Sequence, residues 1–329
     1  MLLLNKEDIR KVYGMSDAIG SVKKAFRLSF EEKCQVPQRT IIPTNDGSDS
    51  LLFMPAYCGE AGTAAMKIIG VYGDNPKKGL PTCPASVLLF DGTTGMVRAM
   101  MDGTFVTQLR TGAASGAAFD LLAKEDCRTG ALIGNGGQAE TQLEAMLCAR
   151  KLQRVYVYSR NEEKCRDFAR KMQEKLASYG AEIVPALSSR EAVKDADLII
   201  AATPSHTPVF DAGDVKPGCT VSAIGSYLYD MQELDPALLA KAGGIYFDSK
   251  EAVLAESGDI IRPLEDGTIS TEDLTGDLGG VICGAVPGRK NDSDIIVFKT
   301  VGIAIQDLVT AGDIYAKASS AGIGTDWSI

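Results

Sequence analysis

The sequence of 329 residues is poor in the side chains on which several common active sites depend. It contains one histidine, His206, whereas a Ser-His-Asp triad or a multi-histidine metal site needs that residue in a defined role or several times over. Its eight cysteines form no Cys-x-x-Cys pair, so neither a zinc site nor a redox dithiol is indicated. We therefore expect no metal centre, and we expect His206 to be a solvated loop residue.

Long apolar runs and a surplus of positive charge are missing too. No run of 18 apolar residues occurs, so no transmembrane helix is expected, and the N-terminus lacks the basic region and cleavage site of a signal peptide. The net charge of -9 disfavours nucleic acid as a partner. Scattered thiols suit a reducing compartment. These features predict a cytoplasmic protein without a membrane or nucleic-acid partner.

The first part of the chain mixes helices with short strands. Helices are expected at residues 5–13 and 16–33, the second with Ser16 as its N-cap. Turn signals then separate strand-like runs, which is typical of hairpins and antiparallel pairing. A long helix rich in small residues is expected over 104–124. The predicted strands are Arg39–Pro43, Leu51–Met54, Ala64–Val71, Ser86–Phe90 and Met96–Met101.

From residue 129 onward strand and helix patterns alternate, which predicts a parallel, doubly wound sheet. A last helix is expected near 299–317 and could fold back onto the first domain. The fold class is therefore α/β, with a Rossmann domain over residues 126–299. An α+β domain covers residues 1–125 and is completed by about 300–329.

The most specific local motif is glycine-rich. Gly134-Asn135-Gly136-Gly137-Gln138-Ala139 has the form Gly-x-Gly-x-x-Ala between a predicted strand and a predicted helix. Gly134 would permit a tight turn, and Gly136 would let the backbone approach a pyrophosphate. The following helix offers amide donors to the phosphates. The pattern predicts a dinucleotide site that includes Gly137 and Gln138; the alternative is a glycine-rich turn without a ligand.

The end of the next predicted strand bears on which dinucleotide binds. An NAD-selective site usually places Asp or Glu there to hold the ribose hydroxyls, but this chain has Ser159 and Arg160. A hydroxyl and a guanidinium suit a 2′-phosphate. We therefore favour NADP(H) as cofactor, with NAD(H) possible if Arg160 simply faces solvent.

Three cations lie among apolar or small residues of the first domain: Arg39, Lys67 and Arg110. Isolated cations in such surroundings are costly to bury unless an anion accompanies them. Each could instead snorkel to the surface or form a structural ion pair. Composition alone does not show that the three converge.

Several motifs, in order along most of the chain, resemble the ornithine cyclodeaminase/mu-crystallin family. They are Met54-Pro55, Met66-Lys67-Ile68-Ile69-Gly70, Gly79-Leu80-Pro81-Thr82, Phe90-Asp91-Gly92-Thr93-Thr94-Gly95, Leu109-Arg110-Thr111-Gly112-Ala113-Ala114, Ile133 to Ala139, Ala223-Ile224-Gly225-Ser226, Glu233-Leu234-Asp235 and Val297-Phe298-Lys299-Thr300-Val301-Gly302.

The resemblance implies a homodimer whose N-terminal domains bind substrate and build a shared β-structure, with an active site between that domain and the Rossmann domain. Arg39, Lys67 and Arg110 match positions that hold an amino-acid carboxylate and polarise an imine, with Lys67 and Arg110 as the catalytic residues. The matching positions near the cofactor are Thr82, Arg110, Thr111, Thr203, Ile224 and Thr300.

The family includes cyclodeaminases, an alanine dehydrogenase type and ketimine reductases. Cyclodeaminases carry an aspartate where this chain has Tyr227, and an acid where it has Leu52. Both departures favour an NAD(P)H-dependent imine reductase, such as a pyrroline-2-carboxylate reductase, or an amino-acid dehydrogenase. Two alternatives remain open: an ornithine cyclodeaminase, and a non-catalytic, crystallin-like ligand-binding protein.

Overall fold

The computed structural model of the chain describes residues 1–328. Its first part begins with a short strand and two helices, continues through six strands and ends in a long helix. These elements are β1 (Leu2–Leu4), α1 (Lys6–Val12), α2 (Met15–Phe30), β2 (Cys34–Gln35), β3 (Thr40–Thr44), β4 (Asp49–Cys58), β5 (Thr63–Val71), β6 (Ala85–Asp91), β7 (Val97–Asp102) and α3 (Gly103–Leu122).

The antiparallel pairing predicted for this region is confirmed. Strands β3 to β7 pair antiparallel in sequence order. The sequence did not reveal β1, which pairs parallel with β7. The prediction that Ser16 caps the second helix is wrong, because α2 already begins at Met15. The Asp17 carboxylate accepts the Gly14 N–H at 3.2 Å and fixes the first turn one residue earlier.

The second part of the chain alternates strands and helices. Its elements are β8 (Thr129–Ile133), α4 (Ala139–Ala149), β9 (Arg154–Tyr158), α5 (Glu162–Lys175), β10 (Glu182–Pro185), α6 (Ser189–Val193), β11 (Leu198–Ala201), β12 (Thr220–Ala223), α7 (Pro236–Lys241), β13 (Ala242–Phe247), α8 (Lys250–Glu256), α9 (Gly258–Glu265), β14 (Leu274–Asp277), α10 (Leu278–Ile282) and β15 (Ile295–Lys299).

These strands form one parallel sheet in the order β10-β9-β8-β11-β12-β15-β13-β14. The order runs outward in both directions from β8, which is the doubly wound arrangement that the alternation predicted. The strands β8, β11, β12 and β15 are almost entirely buried, as expected for a parallel sheet with helices on both faces.

The chain ends with α11 (Ala304–Ala321) and β16 (Thr325–Asp326). A helix starting near residue 299 was therefore predicted several residues too early. Lys299 pairs with Ala223 in the parallel sheet, and Gly302 has a φ of 79°, which is incompatible with a right-handed helix. Because of the strand pairing and the left-handed conformation of Gly302, the helix begins only at Ala304.

Two compact units divide the chain. The first contains Met1–Arg110 and Gly302–Ile329, and the second contains Thr111–Val301. The division falls inside α3, whereas the sequence placed it near residue 125. In the first unit α11 packs on β4, β5 and β6. Among the helices of residues 1–328, none is both long and apolar enough to cross a membrane.

Candidate active site

Lys67 lies in the middle of β5 with a completely buried side chain. Alternation along the strand points it to the same face as Ala65 and Ile69, which are also buried. Its Nζ lies 2.7 Å from Oδ2 of Asp307 on α11, and that carboxylate is buried as well. A buried ammonium is tolerated because a carboxylate compensates its charge.

Arg110, on α3, shares the same carboxylate. Its Nε donates to Oδ1 of Asp307 at 3.1 Å, and its Nη1 donates to Oε1 of Gln306 at 2.9 Å. A methyl group at Gly302 would overlap the Arg110 guanidinium in its present position, and the φ of 79° at this residue favours glycine. Two buried cations, Lys67 and Arg110, thus depend on one carboxylate.

Arg39, in the loop before β3, joins the same group. Its Nη2 donates to the carbonyl oxygen of Gly302 at 2.6 Å. Burial and the positive charge of Arg110 lower the pKa of Lys67 from 10.5 to about 7; Asp307 opposes the shift and Arg39 adds to it. A lysine whose pKa lies near neutrality can exchange a proton at neutral pH.

The loop between β5 and β6 carries Thr82, which is exposed and whose carbonyl oxygen accepts the Tyr72 N–H at 2.9 Å. The thiol of the neighbouring Cys83 interacts electrostatically with Lys67. Burial raises the pKa of the Cys83 thiol, and the Lys67 ammonium opposes that rise. This loop therefore belongs to the surroundings of Lys67.

In the second unit, the glycine motif forms the turn between β8 and α4. Gly134 has a φ of 105°, and a methyl group there would overlap the Ala202 carbonyl oxygen. Within residues 1–328, and apart from the adjacent residues, no atom lies within 4 Å of where a Cβ of Gly136 or Gly137 would stand. The Oε1 atom of Gln138 is buried and has no hydrogen-bond partner among residues 1–328. An open glycine backbone and an orphaned side-chain oxygen at a helix N-terminus fit a dinucleotide pyrophosphate and its ribose.

Ser159 and Arg160 follow β9. The Ser159 hydroxyl donates to the Asn161 carbonyl oxygen at 3.1 Å, and the Asn161 side chain caps α5 by accepting the Lys164 N–H at 2.9 Å. These bonds hold the loop in shape, and Arg160 is exposed on it.

The remaining predicted cofactor residues of this unit lie near the same edge of the sheet. Thr203 comes after β11, Ile224 directly after β12 and Thr300 directly after β15. Thr300 donates its hydroxyl to Oδ2 of Asp248 at 2.6 Å. Thr111 is buried in α3. Ligands of open α/β sheets bind at the carboxyl ends of the strands, where the structure places Thr203, Ile224 and Thr300.

The sequence did not reveal a second buried ionic group at this edge. Lys299 Nζ lies 3.1 Å from Oδ2 of Asp259, and both side chains are fully buried. Glu233 is equally buried; desolvation and the negative charge of Asp259 raise its pKa to about 7, while Lys299 opposes this rise. Glu233 contacts the predicted residue Thr203. In the first unit, Asp307 and Gln306 contact Arg110. The sequence predicted a role for none of these three contacting residues.

The chain is similar to known proteins over nearly its whole length. A family model described as the ornithine cyclodeaminase/mu-crystallin family matches residues 1–322. A Delta(1)-pyrroline-2-carboxylate reductase from Bacillus cereus is 34% identical over 324 residues, which is 98% of either chain. The structure of Delta(1)-pyrroline-2-carboxylate reductase from Thermococcus litoralis, in complex with NADH and L-proline, is 40% identical with a TM-score of 0.95 and covers 99% of this chain and 100% of that one.

A third similar protein is an archaeal alanine dehydrogenase dimer with bound NAD. It is 33% identical with a TM-score of 0.90, and the match covers 100% of this chain and 99% of the other. Both the match to the family model and the identity to these relatives extend over nearly the whole length. The chain therefore belongs to the ornithine cyclodeaminase/mu-crystallin family.

Proposed function

We propose that this protein is an NAD(P)H-dependent oxidoreductase that reduces a small cyclic imino acid, such as pyrroline-2-carboxylate, to the amino acid. The relatives described as pyrroline-2-carboxylate reductase and alanine dehydrogenase support a reaction at a carbon–nitrogen bond next to a carboxylate. An amino-acid dehydrogenase uses the same machinery in the oxidative direction.

The observation that carries this proposal is the charge balance around Lys67. Two fully or almost fully buried cations, Lys67 and Arg110, share the single carboxylate of Asp307. The positive charge that is left over favours an anionic ligand, and a guanidinium binds a carboxylate with particular strength. Arg39 lies close enough to strengthen the positive field. We propose that Arg39, Lys67 and Arg110 bind the substrate carboxylate.

Lys67 is also the proposed proton donor. Reduction adds a hydride to the imine carbon and a proton to the imine nitrogen. Bound reduced nicotinamide supplies the hydride. The Lys67 ammonium donates the proton to the imine nitrogen as the carbon–nitrogen double bond becomes single, and it must be reprotonated before the next turnover. Its pKa of about 7 suits both steps at neutral pH.

We assign the dinucleotide to the carboxyl edge of the second unit. Gly134, Gly136, Gly137 and Gln138 would hold the pyrophosphate, and Thr203, Ile224 and Thr300 would lie toward the nicotinamide half; Thr82, Arg110 and Thr111 remain proposed cofactor contacts. The two solved relatives were obtained with NADH and NAD. The finer proposal that this chain prefers NADP(H) depends on Ser159 and on the exposed guanidinium of Arg160.

We also propose a homodimer. The archaeal relative is described as a dimer, and the first sheet exposes apolar side chains to solvent, among them Ile41 at 45%, Ile42 at 46% and Met100 at 40%. Apolar patches of this kind mark interfaces. Light scattering should give twice the mass of one chain; a monomeric mass at micromolar concentration would contradict the dimer.

The experiment that tests the reaction follows oxidation of NADPH and of NADH with pyrroline-2-carboxylate, and separately assays proline and ammonia with ornithine and catalytic cofactor. We expect imine reduction and no ammonia. Tyr227 replaces the carboxylate that could act as base in ring closure of ornithine, and Leu52 cannot orient the side-chain ammonium. Stoichiometric proline and ammonia would identify a cyclodeaminase, and binding without turnover would identify a non-catalytic binding protein.

A further inference from the structure

The loops after β11 and β12 touch each other through their backbones. A methyl group at Gly225 would overlap the carbonyl oxygen of Thr203. Two segments that approach so closely need glycine at the contact, and a common anchor fixes their relative position. The Glu233 side chain provides that anchor.

The Glu233 carboxylate bridges the two loops. Its Oε1 accepts the Thr203 N–H at 2.6 Å and the Thr203 hydroxyl at 2.8 Å. Its Oε2 accepts the Gly225 N–H at 2.5 Å. Three donors on two loops therefore converge on one fully buried carboxylate, which a neutral or shorter side chain cannot reproduce.

The backbone of Glu233 is fixed in turn by the buried side chain of Asp259. Oδ1 of Asp259 accepts the backbone N–H of Glu233 at 2.7 Å and that of Leu234 at 2.9 Å. The other Asp259 oxygen, Oδ2, lies 3.1 Å from Lys299 Nζ, at the last residue of β15. The ends of β11, β12 and β15 are thereby linked through one buried ionic chain.

We propose that Glu233 is a positioning residue for the nicotinamide half of the dinucleotide; this inference builds on the proposed function. The glycine turn after β8 and the ribose-facing loop after β9 lie on one side of the point where strand order reverses, so the adenosine half belongs there. Strands β11 and β12 lie on the other side. Thr203 and Gly225, the two residues that Glu233 fixes, therefore belong to the nicotinamide half.

The test compares ligands that do and do not contain nicotinamide. Calorimetry gives the Kd of NADPH, NADH, 2′-phospho-ADP-ribose and ADP-ribose for the parent and for Glu233→Gln. The glutamine amide has only one acceptor oxygen, so it can accept hydrogen bonds from one of the two loops, while its NH2 group faces an N–H donor of the other loop. We expect both reduced dinucleotides to bind about 10-fold more weakly, a change typical of one lost charge-assisted hydrogen bond. The two ligands without nicotinamide should bind within about twofold of the parent, since the three hydrogen bonds that the Glu233 carboxylate accepts come from Thr203 and Gly225 and not from the loops after β8 and β9.

Two further variants show whether weaker dinucleotide binding comes from the lost position of the carboxylate, from its lost charge, or from general damage to the structure. Glu233→Asp keeps the charge but shortens the reach, so it should also weaken the dinucleotides. Asp235→Asn makes the same carboxylate-to-amide change two residues away, where the side chain accepts the Ala212 and Ala237 N–H groups, and should leave all four Kd values near those of the parent. Equal weakening of all four ligands by Glu233→Gln, or parent-like binding by Glu233→Asp, would overturn the inference. A parent that binds none of the ligands would instead overturn the proposed function.

Discussion

The two units each bury a lysine against an aspartate, and the two pairs differ in what else surrounds them. In the first unit, two cations, Lys67 and Arg110, share Asp307. In the second unit, two carboxylates, Asp259 and Glu233, lie near one cation, Lys299. Both groups are buried, so burial alone does not distinguish them.

The difference in charge balance would account for the different roles that we propose for the two groups. The group around Lys67 has positive charge left over, which favours an incoming anion; burial and the charge of Arg110 together lower the pKa of Lys67 to about 7. The group around Glu233 has negative charge left over, but loop N–H and hydroxyl groups donate to both Glu233 oxygens. The first group therefore has capacity for a ligand, whereas the second holds the backbone.

The largest expected effects come from removing the two lysines. Lys67→Met should lower kcat for imine reduction by at least about 1000-fold, because proton donation and electrostatic stabilisation are lost together. Its Kd for ADP-ribose should be unchanged. Lys299→Met should instead cost about 3–5 kcal/mol of unfolding free energy, because it leaves buried carboxylates without a cation. Steady-state kinetics and urea unfolding of both variants give the comparison.

Two outcomes would break this distinction. Turnover by Lys67→Met within twofold of the parent would remove Lys67 from the chemistry. A Lys299→Met variant as stable as the parent would show that Asp259 and Glu233 do not need their cation.

A smaller effect is expected from Asp307→Asn. Asp307 raises the pKa of Lys67, whereas burial, Arg110 and Arg39 lower it; removing the carboxylate therefore moves that pKa below about 7. Reduction needs protonated Lys67, so kcat/KM should fall as pH rises through the Lys67 pKa, and this fall should begin at lower pH in the variant. At pH 7 we expect a loss of about 10- to 100-fold.

Asp313→Asn is the matched control for this prediction, because it changes another aspartate on the same helix. Asp313 accepts the Ser21 hydroxyl at 2.5 Å and pairs with Lys24 at 3.7 Å, away from Lys67. Its pH profile should coincide with that of the parent. A profile of Asp307→Asn that also coincides would mean that Lys67 does not limit the reaction.

The smallest effect on the rate itself is expected from a variant that changes the choice of cofactor. Arg160→Asp should shift the ratio of kcat/KM for NADPH over NADH toward NADH by about 10- to 100-fold, because a carboxylate repels a 2′-phosphate and accepts from ribose hydroxyls. Rates with saturating NADH should change little. An unchanged ratio would show that Arg160 does not contact the ribose.

Local patterns were sufficient to predict much of the fold. Period-two strands separated by turn signals predicted the antiparallel sheet, and the glycine motif predicted the turn at Gly134. That turn is encoded locally, because a φ of 105° is accessible to glycine and rarely to other residues. The sequence also singled out Lys67 and Arg110, because a cation among apolar or small residues is costly to bury unless an anion accompanies it.

The residues that the sequence did not reveal are those whose meaning depends on distant partners. Asp307 lies 240 positions from Lys67, and Glu233 receives its donors from two separate loops. The apolar run Ile295–Phe298 illustrates another limit: a short buried strand and the start of a buried helix share one pattern. Pairing of β15 with β12 and β13 decides between them, and pairing is a tertiary property.

The most direct test of the proposed substrate site compares pyrroline-2-carboxylate with 1-pyrroline, the same cyclic imine without its carboxylate, under identical conditions. If Arg39, Lys67 and Arg110 bind the carboxylate, kcat/KM for 1-pyrroline should be lower by at least about 100-fold, as expected for loss of charge-assisted bonds to buried cations. Equal kcat/KM values for the two imines would contradict the assignment of these cations to substrate recognition.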